Sequence, residues 1–236
     1  MADHTFKRFD IELDELDALI MSMFKVVRKN VKKGLRALFE GDVEIAKSVI
    51  SQDEAANALE VQVDELARSV IVRHQPAASD LRQVFAATKI VTDLERISDL
   101  AASIANNTIE LNGYVPSQLA SLPDMQEMVL RQLKDARRAY KRQDVQLAQE
   151  VIEHDQAINA TFADSQRSLF SSMTEHPSEI GHYMALANIA KQIERIGDHT
   201  KNIAEMTIYL VVGHEVRHIN REHLAELLEG DDDEEE

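Results

Sequence analysis

The sequence contains no cysteine and no tryptophan, and only 7 glycines and 4 prolines among its 236 residues. Without cysteine there is no disulfide framework, thiolate zinc site, iron–sulfur cluster or thiol nucleophile, so any metal ligand must be an oxygen or an imidazole. The few glycines and prolines supply too few turns for many short strands, whereas the 44% apolar content is enough for a sizeable core. We therefore predict an all-α fold.

Basic residues are also in short supply. The chain has 26 Lys and Arg against 42 Asp and Glu, a formal net charge of -16. Such a surface repels phosphate backbones and anionic lipids, so nucleic acids and membrane surfaces are poor partners. The longest purely apolar run, 208–212, is too short to span a bilayer, and the first residues lack the apolar segment of a signal peptide. We expect a cytoplasmic protein without direct membrane insertion.

The chain contains two copies of one pattern. A shift of 99 residues aligns 86–109 with 185–208, and a shift of 102 residues aligns 42–53 with 144–155. Two halves in the same order indicate duplication of a three-helix unit. We predict two tandem, similar three-helix bundles, residues 1–113 and 114–213, followed by an acidic C-terminal tail, 214–236.

Residues that cap or stop helices, together with the spacing of apolar residues, predict where the helices lie. The third helix of each half carries apolar residues every three or four positions, as a helix buried in a bundle does. Asp42 and Asp144 are the predicted N-caps of the second helix of each half, and Gly41 and Gly113 are predicted stops. The predicted helices are 9–39, 42–73, 79–111, 117–142, 144–173 and 179–212.

Paired carboxylates beside the apolar face of the third helix in each half are the feature that indicates a chemical function. Glu95 and Asp99 lie four residues apart on one helical face, Glu194 and Asp198 repeat the arrangement, and Asn202 continues it. Like charges at this spacing repel, and a hard divalent or trivalent cation bound by several oxygens would compensate them. Local ion pairs are the alternative, because three basic side chains stand within three positions of these acids. They are Arg96, Lys191 and Arg195.

Two further motifs point towards enzymes but lack the required context. Residues 214–218 match the zinc-protease pattern H-E-x-x-H, yet they follow the predicted end of the last helix. The Glu-x-x-His pairs at 179–182 and 215–218 both fall at helix ends of one half, whereas di-iron bundles carry such pairs mid-helix with two further glutamates. No nucleotide-binding glycine-rich loop is present. A metal-carboxylate bundle enzyme or an ion-binding or storage protein remains the alternative function, and a plain helical scaffold is a third.

Three stretches resemble the PhoU family of phosphate-specific transport system accessory proteins. They are the duplicated E-R-I-(S/G)-D core, R-H-Q-P-A-A-S-D-L-R at 73–82, and E-R-I-G-D-H-T-K-N-I-A-E at 194–205. The resemblance extends over about 9–218 and implies metal sites at Glu95/Asp99 and Glu194/Asp198, with Asn202 as a further ligand and Fe, Zn, Mn or Mg as the ion. Ser98 and Ser103 depart from the family pattern, so we expect the weaker metal site in the first half.

The same resemblance implies a regulatory function. Proteins of this family lower phosphate uptake and restrain the phosphate-starvation response without catalysing a reaction. The implied partners are the ATPase of the phosphate ABC transporter, which is PstB-like, and a PhoR-like sensor histidine kinase. The implied oligomeric state is a homodimer.

Overall fold

A computed structural model describes residues 2–114 and 121–214, with side chains from residue 8 onward. This part of the chain forms six α-helices, and a 3-10 turn, Pro177–Glu179, precedes the last of them. The helices are α1 Ala2–Glu40, α2 Val43–His74, α3 Ala78–Glu110, α4 Leu122–Arg142, α5 Val145–Glu175 and α6 Ile180–Val212. The all-α fold is confirmed, and none of these helices holds a stretch apolar enough, over sufficient length, to cross a bilayer.

Most predicted helix ends agree with the structure to within two residues. Two starts differ: α1 begins at Ala2 rather than residue 9, and α4 begins at Leu122 rather than residue 117. Pro123 lies in the first turn of α4, where its missing N–H costs no helical hydrogen bond. Residues 215–236, which hold all but the first residue of the predicted acidic tail and of the H-E-x-x-H pattern, lie outside the described residues, as do 115–120.

The same cap begins the second helix in each half. Asp42 Oδ1 accepts a hydrogen bond from the Ile45 amide, and Asp144 Oδ1 accepts one from the Leu147 amide, both at 2.9 Å. Each cap satisfies one of the unpaired N–H groups of the first turn. Both predicted N-caps are confirmed, and the repetition of this detail supports the duplication.

The two halves meet along α3 and α6. Asp93 of α3 contacts His199 and Asn202 of α6, whereas Ser103, further along α3, contacts Gln192. The residue number falls along α6 as it rises along α3, so the two helices are antiparallel. The buried apolar side chains of both halves form one continuous cluster, so the predicted bundles share a single core.

A second connection joins α1 to α4. The buried hydroxyl of Tyr140 donates a 2.5 Å hydrogen bond to Asp17. Burial raises the pKa of Tyr140 well above its ordinary value, and the Asp17 charge adds to the effect, so the phenol remains a neutral donor. This bond ties the two halves together outside the α3–α6 contact.

Gly34 allows α1 to approach α3 closely. A Cβ atom at this position would lie 3.0 Å from the Ala101 carbonyl oxygen, a backbone atom that cannot rotate away. Gly181 of α6 is the opposite case, since a Cβ there meets no atom within 4 Å.

The first prediction compares the same substitution at these two glycines. Gly34→Ala forces α1 away from α3, and we expect it to lower the free energy of unfolding by about 1 kcal/mol, even after the better helix propensity of alanine is counted. Gly181→Ala should raise it by up to ~1 kcal/mol, because only the propensity changes. Urea denaturation of both variants measures the difference. A stabilising Gly34→Ala would contradict the close approach.

Candidate functional site

Four carboxylates of α2 and α3 form a charged group in the first half. Glu95 and Asp99 of α3 repel Glu60 of α2, and Asp64 of α2 repels Glu60 in turn. We call Glu60, Asp64, Glu95 and Asp99 the first acidic cluster. Arg96 is placed against it, 3.6 Å from a carboxylate oxygen of Glu95 and 3.6 Å from one of Asp99. At this distance a half-exposed guanidinium compensates the cluster weakly.

Glu95 is the member of the cluster whose ionised form is most strongly disfavoured. Its side chain is 15% exposed, and burial is the largest cause that raises its pKa, followed by the charges of Asp99 and Glu60. The resulting pKa is about 7, despite the opposing effect of Arg96. Burial and the Asp64 charge also raise the pKa of Glu60. Near neutral pH the cluster therefore favours either a bound proton or a bound cation.

The acidic pair of the second half has more positive charge beside it. Lys191 Nζ lies 2.7 Å from both carboxylate oxygens of Glu194 and stands 5.3 Å above the ring centre of Phe162. Burial and Asp155 raise the pKa of Asp198, while Lys191 and Lys201 oppose the shift. We call Glu194, Asp198 and Asp155 the second acidic cluster.

The two clusters differ because α5 lacks the acids of α2. The 102-residue shift places Phe162 and Gln166 where the first half has Glu60 and Asp64. The larger group of carboxylates therefore lies in the first half, whereas the sequence led us to expect the weaker site there. The Ser98 and Ser103 departures from the family pattern do not touch this group, because the extra acids come from α2.

Asn202, the further ligand implied by resemblance, lies in the contact between α3 and α6. Its amide donates a 3.2 Å hydrogen bond to Asp93 Oδ1, which also lies 2.8 Å from His199 Nδ1. The amide nitrogen is thus committed to Asp93, and the amide oxygen is the atom that would be available to a cation.

The donor chemistry fits a hard cation, although the side chains are not closed around one point. In residues 2–114 and 121–214 no three Asp, Glu or His side chains are already arranged to coordinate one ion. The Asp99 side chain already lies within hydrogen-bonding reach of Glu95 and is 45% exposed, so it can turn further towards α2. Carboxylate oxygens of the first acidic cluster are suitable ligands for Mg²⁺, Mn²⁺, Zn²⁺ or iron.

The ion-pair alternative fits the second half better than the first. The 2.7 Å contacts of Lys191 with Glu194 are those of a formed salt bridge, whereas Arg96 stays 3.6 Å from its acids. A salt bridge with Lys191 therefore neutralises Glu194, whereas no comparable salt bridge neutralises the excess negative charge of the first acidic cluster.

Glu60 and Asp64 are the residues that the sequence reasoning missed. They form an E-x-x-x-D pair with the spacing of Glu95/Asp99, so a search for this pattern outside the repeat would have found them. They do not belong to the repeated pattern, because the second half has no acid at either matched position.

The second prediction concerns the pH dependence set by Glu95. In metal-free buffer, the unfolded chain releases the Glu95 proton near pH 4.5 and the folded protein near pH 7, so this group makes the protein less stable as the pH rises through that interval. Glu95→Gln removes the effect, and the variant should gain about 1–3 kcal/mol relative to wild type between pH 4.5 and 7. Urea denaturation across this range measures it.

Glu44→Gln is the matched control, because the Glu44 side chain is 82% exposed and pairs with Lys47 at the surface. Its stability relative to wild type should stay nearly constant over the same pH range. If the stability of Glu95→Gln relative to wild type is also independent of pH, the first acidic cluster does not destabilise the fold.

Comparisons with known proteins agree with this architecture. The PhoU domain model matches residues 20–108 and again 122–207, one match in each half. The chain is 34% identical over 232 residues to the phosphate-specific transport system accessory protein PhoU homolog of Pseudomonas putida, covering 98% of this chain and 91% of that protein. It is 31% identical over 230 residues to PhoU of Escherichia coli K12, covering 97% and 95%.

Solved structures give the same result. The crystal structure of PhoU from Pseudomonas aeruginosa superposes with a TM-score of 0.84 at 34% identity, over 87% of this chain and 100% of that one. The phosphate transport system regulatory protein PhoU from Streptococcus pneumoniae superposes with a TM-score of 0.81 at 25% identity, over 88% and 99%. The chain therefore belongs to the PhoU family.

Proposed function

We propose that this protein is an accessory regulator of phosphate-specific transport that lowers phosphate uptake and restrains the phosphate-starvation response. The support is the match of both halves to the PhoU domain and the near-complete coverage of relatives named as phosphate-specific transport system accessory proteins. In this proposal the protein works on the cytoplasmic side of the membrane as a homodimer. It acts by binding other proteins and catalyses no reaction.

The proposed partners are the ATPase of the phosphate ABC transporter and a PhoR-like sensor histidine kinase. Exposed apolar side chains at matched positions offer docking surfaces for them. Leu81 and Phe85 lie in the first turns of α3, and the 99-residue shift places Ile180 and Met184 at the start of α6. Residues four positions apart lie together on one helix face, and exposed apolar patches of this kind mark protein-binding surfaces.

The first acidic cluster supplies a metal-dependent control in this proposal. A divalent cation bound by Glu60, Asp64, Glu95 and Asp99 would replace mutual repulsion by shared coordination and would connect α2 to α3. The uncompensated charge of this cluster is the observation that carries the metal part of the proposal. A cation held there fixes α3 against α2. Because Leu81 and Phe85 also lie on α3, the bound cation fixes the helix that carries this docking surface.

The third prediction is that the first acidic cluster binds metal more strongly than the second. Mn²⁺ or Zn²⁺ added to metal-free protein should raise the melting temperature, and more so above pH 7, where Glu95 has lost its proton. Glu95→Gln with Asp99→Asn should weaken the binding at least tenfold by calorimetric titration.

The matched control is Glu194→Gln with Asp198→Asn, which removes the acids already accompanied by Lys191 and Lys201. We expect a smaller loss of affinity from this double variant. A larger loss would move the principal site to the second acidic cluster, and an absence of binding to wild type would end the metal part of the proposal.

The fourth prediction tests the regulatory function itself. Immobilised protein should retain the transporter ATPase and the sensor kinase from the organism's own phosphate system. Phe85→Asp combined with Met184→Asp should reduce the recovery of these partners several-fold. The double variant should still fold, because both side chains are exposed. If docking depends on metal, then a chelator and Glu95→Gln with Asp99→Asn should reduce recovery as well. Undiminished recovery under chelation would discard metal control, and failure to retain either partner would contradict the docking function.

A further inference from the structure

Two buried acceptor oxygens of the second half converge on Gly197 of α6. An ideal Cβ atom at Gly197 would lie 3.2 Å from Asp155 Oδ1 and 3.4 Å from Gln132 Oε1. The Asp155 residue is 2% exposed and the Gln132 residue 1% exposed. Within the described residues neither oxygen accepts a well-aligned hydrogen bond from a protein donor, although the Gln132 side chain lies close enough to Asp155 to oppose the rise in its pKa. Two unpaired acceptors at this depth are strongly unfavourable, so a proton must lie between them, carried either by a small bound molecule or by the Asp155 carboxyl itself, whose pKa is raised by burial.

The other polar atoms of these side chains are already used. Asp155 Oδ2 accepts from Asn159 Nδ2 at 3.1 Å, and Gln132 Nε2 donates to the Val151 carbonyl at 3.3 Å. Rotating the Gln132 amide by half a turn would point its nitrogen at Asp155, but it would set its oxygen against the Val151 carbonyl oxygen. An unpaired acceptor would remain, so the rotation does not solve the problem.

The first half shows how the same position is satisfied. The repeat shifts match Gly197 with Ser98, Asp155 with Asp53, and Gln132 with Asn30. The Ser98 hydroxyl donates to Asp53 Oδ1 at 2.6 Å and accepts from Asn30 Nδ2 at 3.3 Å. One small O–H group thus links the first and second helices of the first half at the surface of α3.

We infer that the position beside Gly197 is a binding site for one buried water molecule, which donates one hydrogen bond to Asp155 Oδ1 and the other to Gln132 Oε1. A water has the two protons that two facing acceptors require, whereas a serine hydroxyl has only one. The absent side chain of Gly197 leaves the water access to both oxygens. The water would link α4 to α5 beside α6, much as the Ser98 hydroxyl links α1 and α2 in the first half.

The first test uses substitutions at Gly197 that share a Cβ atom. Gly197→Ala and Gly197→Ser meet the same crowding, but only serine brings a proton to an acceptor. We expect the folding equilibrium constant of Gly197→Ser to be about tenfold larger than that of Gly197→Ala, against the order of helix propensities. At Gly181, where a Cβ meets nothing within 4 Å, alanine should be at least as stable as serine.

The second test uses the matched position of the first half, where a water can replace the hydroxyl. Ser98→Gly makes room for a water between Asp53 and Asn30, whereas Ser98→Ala fills that room with a methyl group. We expect Ser98→Gly to unfold at a higher urea concentration than Ser98→Ala, although alanine is the better helix former. If alanine is the more stable variant at both Ser98 and Gly197, the inference is wrong.

A high-resolution crystal structure of the wild-type protein decides the occupant directly. A single density peak within hydrogen-bonding distance of Asp155 Oδ1 and Gln132 Oε1 supports the inference. Direct contact between the two side chains, with no peak between them, overturns it. A peak with metal-like distances to five or more oxygens also overturns it, since the occupant would then be a cation.

Discussion

The antiparallel packing of α3 against α6 is the constraint on which the rest of the structure depends. Both helices present apolar residues every three or four positions, and both stripes are buried. Each of these helices serves its own three-helix half and the contact between the halves at once, so its apolar surface must extend further round the helix than in a simple amphipathic helix. Glu95 and Asp99 on α3, like Glu194 and Asp198 on α6, lie four residues apart beside these buried stripes, so their carboxylates are close together.

Crowding has had different consequences in the two halves. In the second half Lys191 and Lys201 stand beside Glu194 and Asp198, so the protein supplies most of the compensating charge. In the first half α2 adds Glu60 and Asp64, and Arg96 stays at a distance. Duplication thus produced two related sites, of which one carries its own counterions and the other retains an excess of negative charge.

Much of the fold followed from the sequence because the signals were local. Asp42 and Asp144 at the two caps, and the recurring apolar positions of α3 and α6, fixed the helices and their number. The antiparallel contact of the halves did not follow, because it depends on interactions such as Asp93 with His199 that no spacing in one helix reveals. The candidate site was predicted only where both copies kept the same acids, as at Glu95 and Glu194. Glu60 and Asp64 face α3 through tertiary packing, and the burial that raises the pKa of Glu95 requires the folded neighbours.

The approximate two-fold relation of α3 to α6 also says something about descent. A single three-helix unit, before the duplication, would have presented the exposed apolar stripe of its third helix to water. An antiparallel helix pair is self-complementary, so two separate copies of that unit could cover each other's stripes by the same contact on both sides. Joining two such units in one chain turns this bimolecular association into an intramolecular one. The two acidic sites can then differ, because the two halves are separate stretches of one sequence.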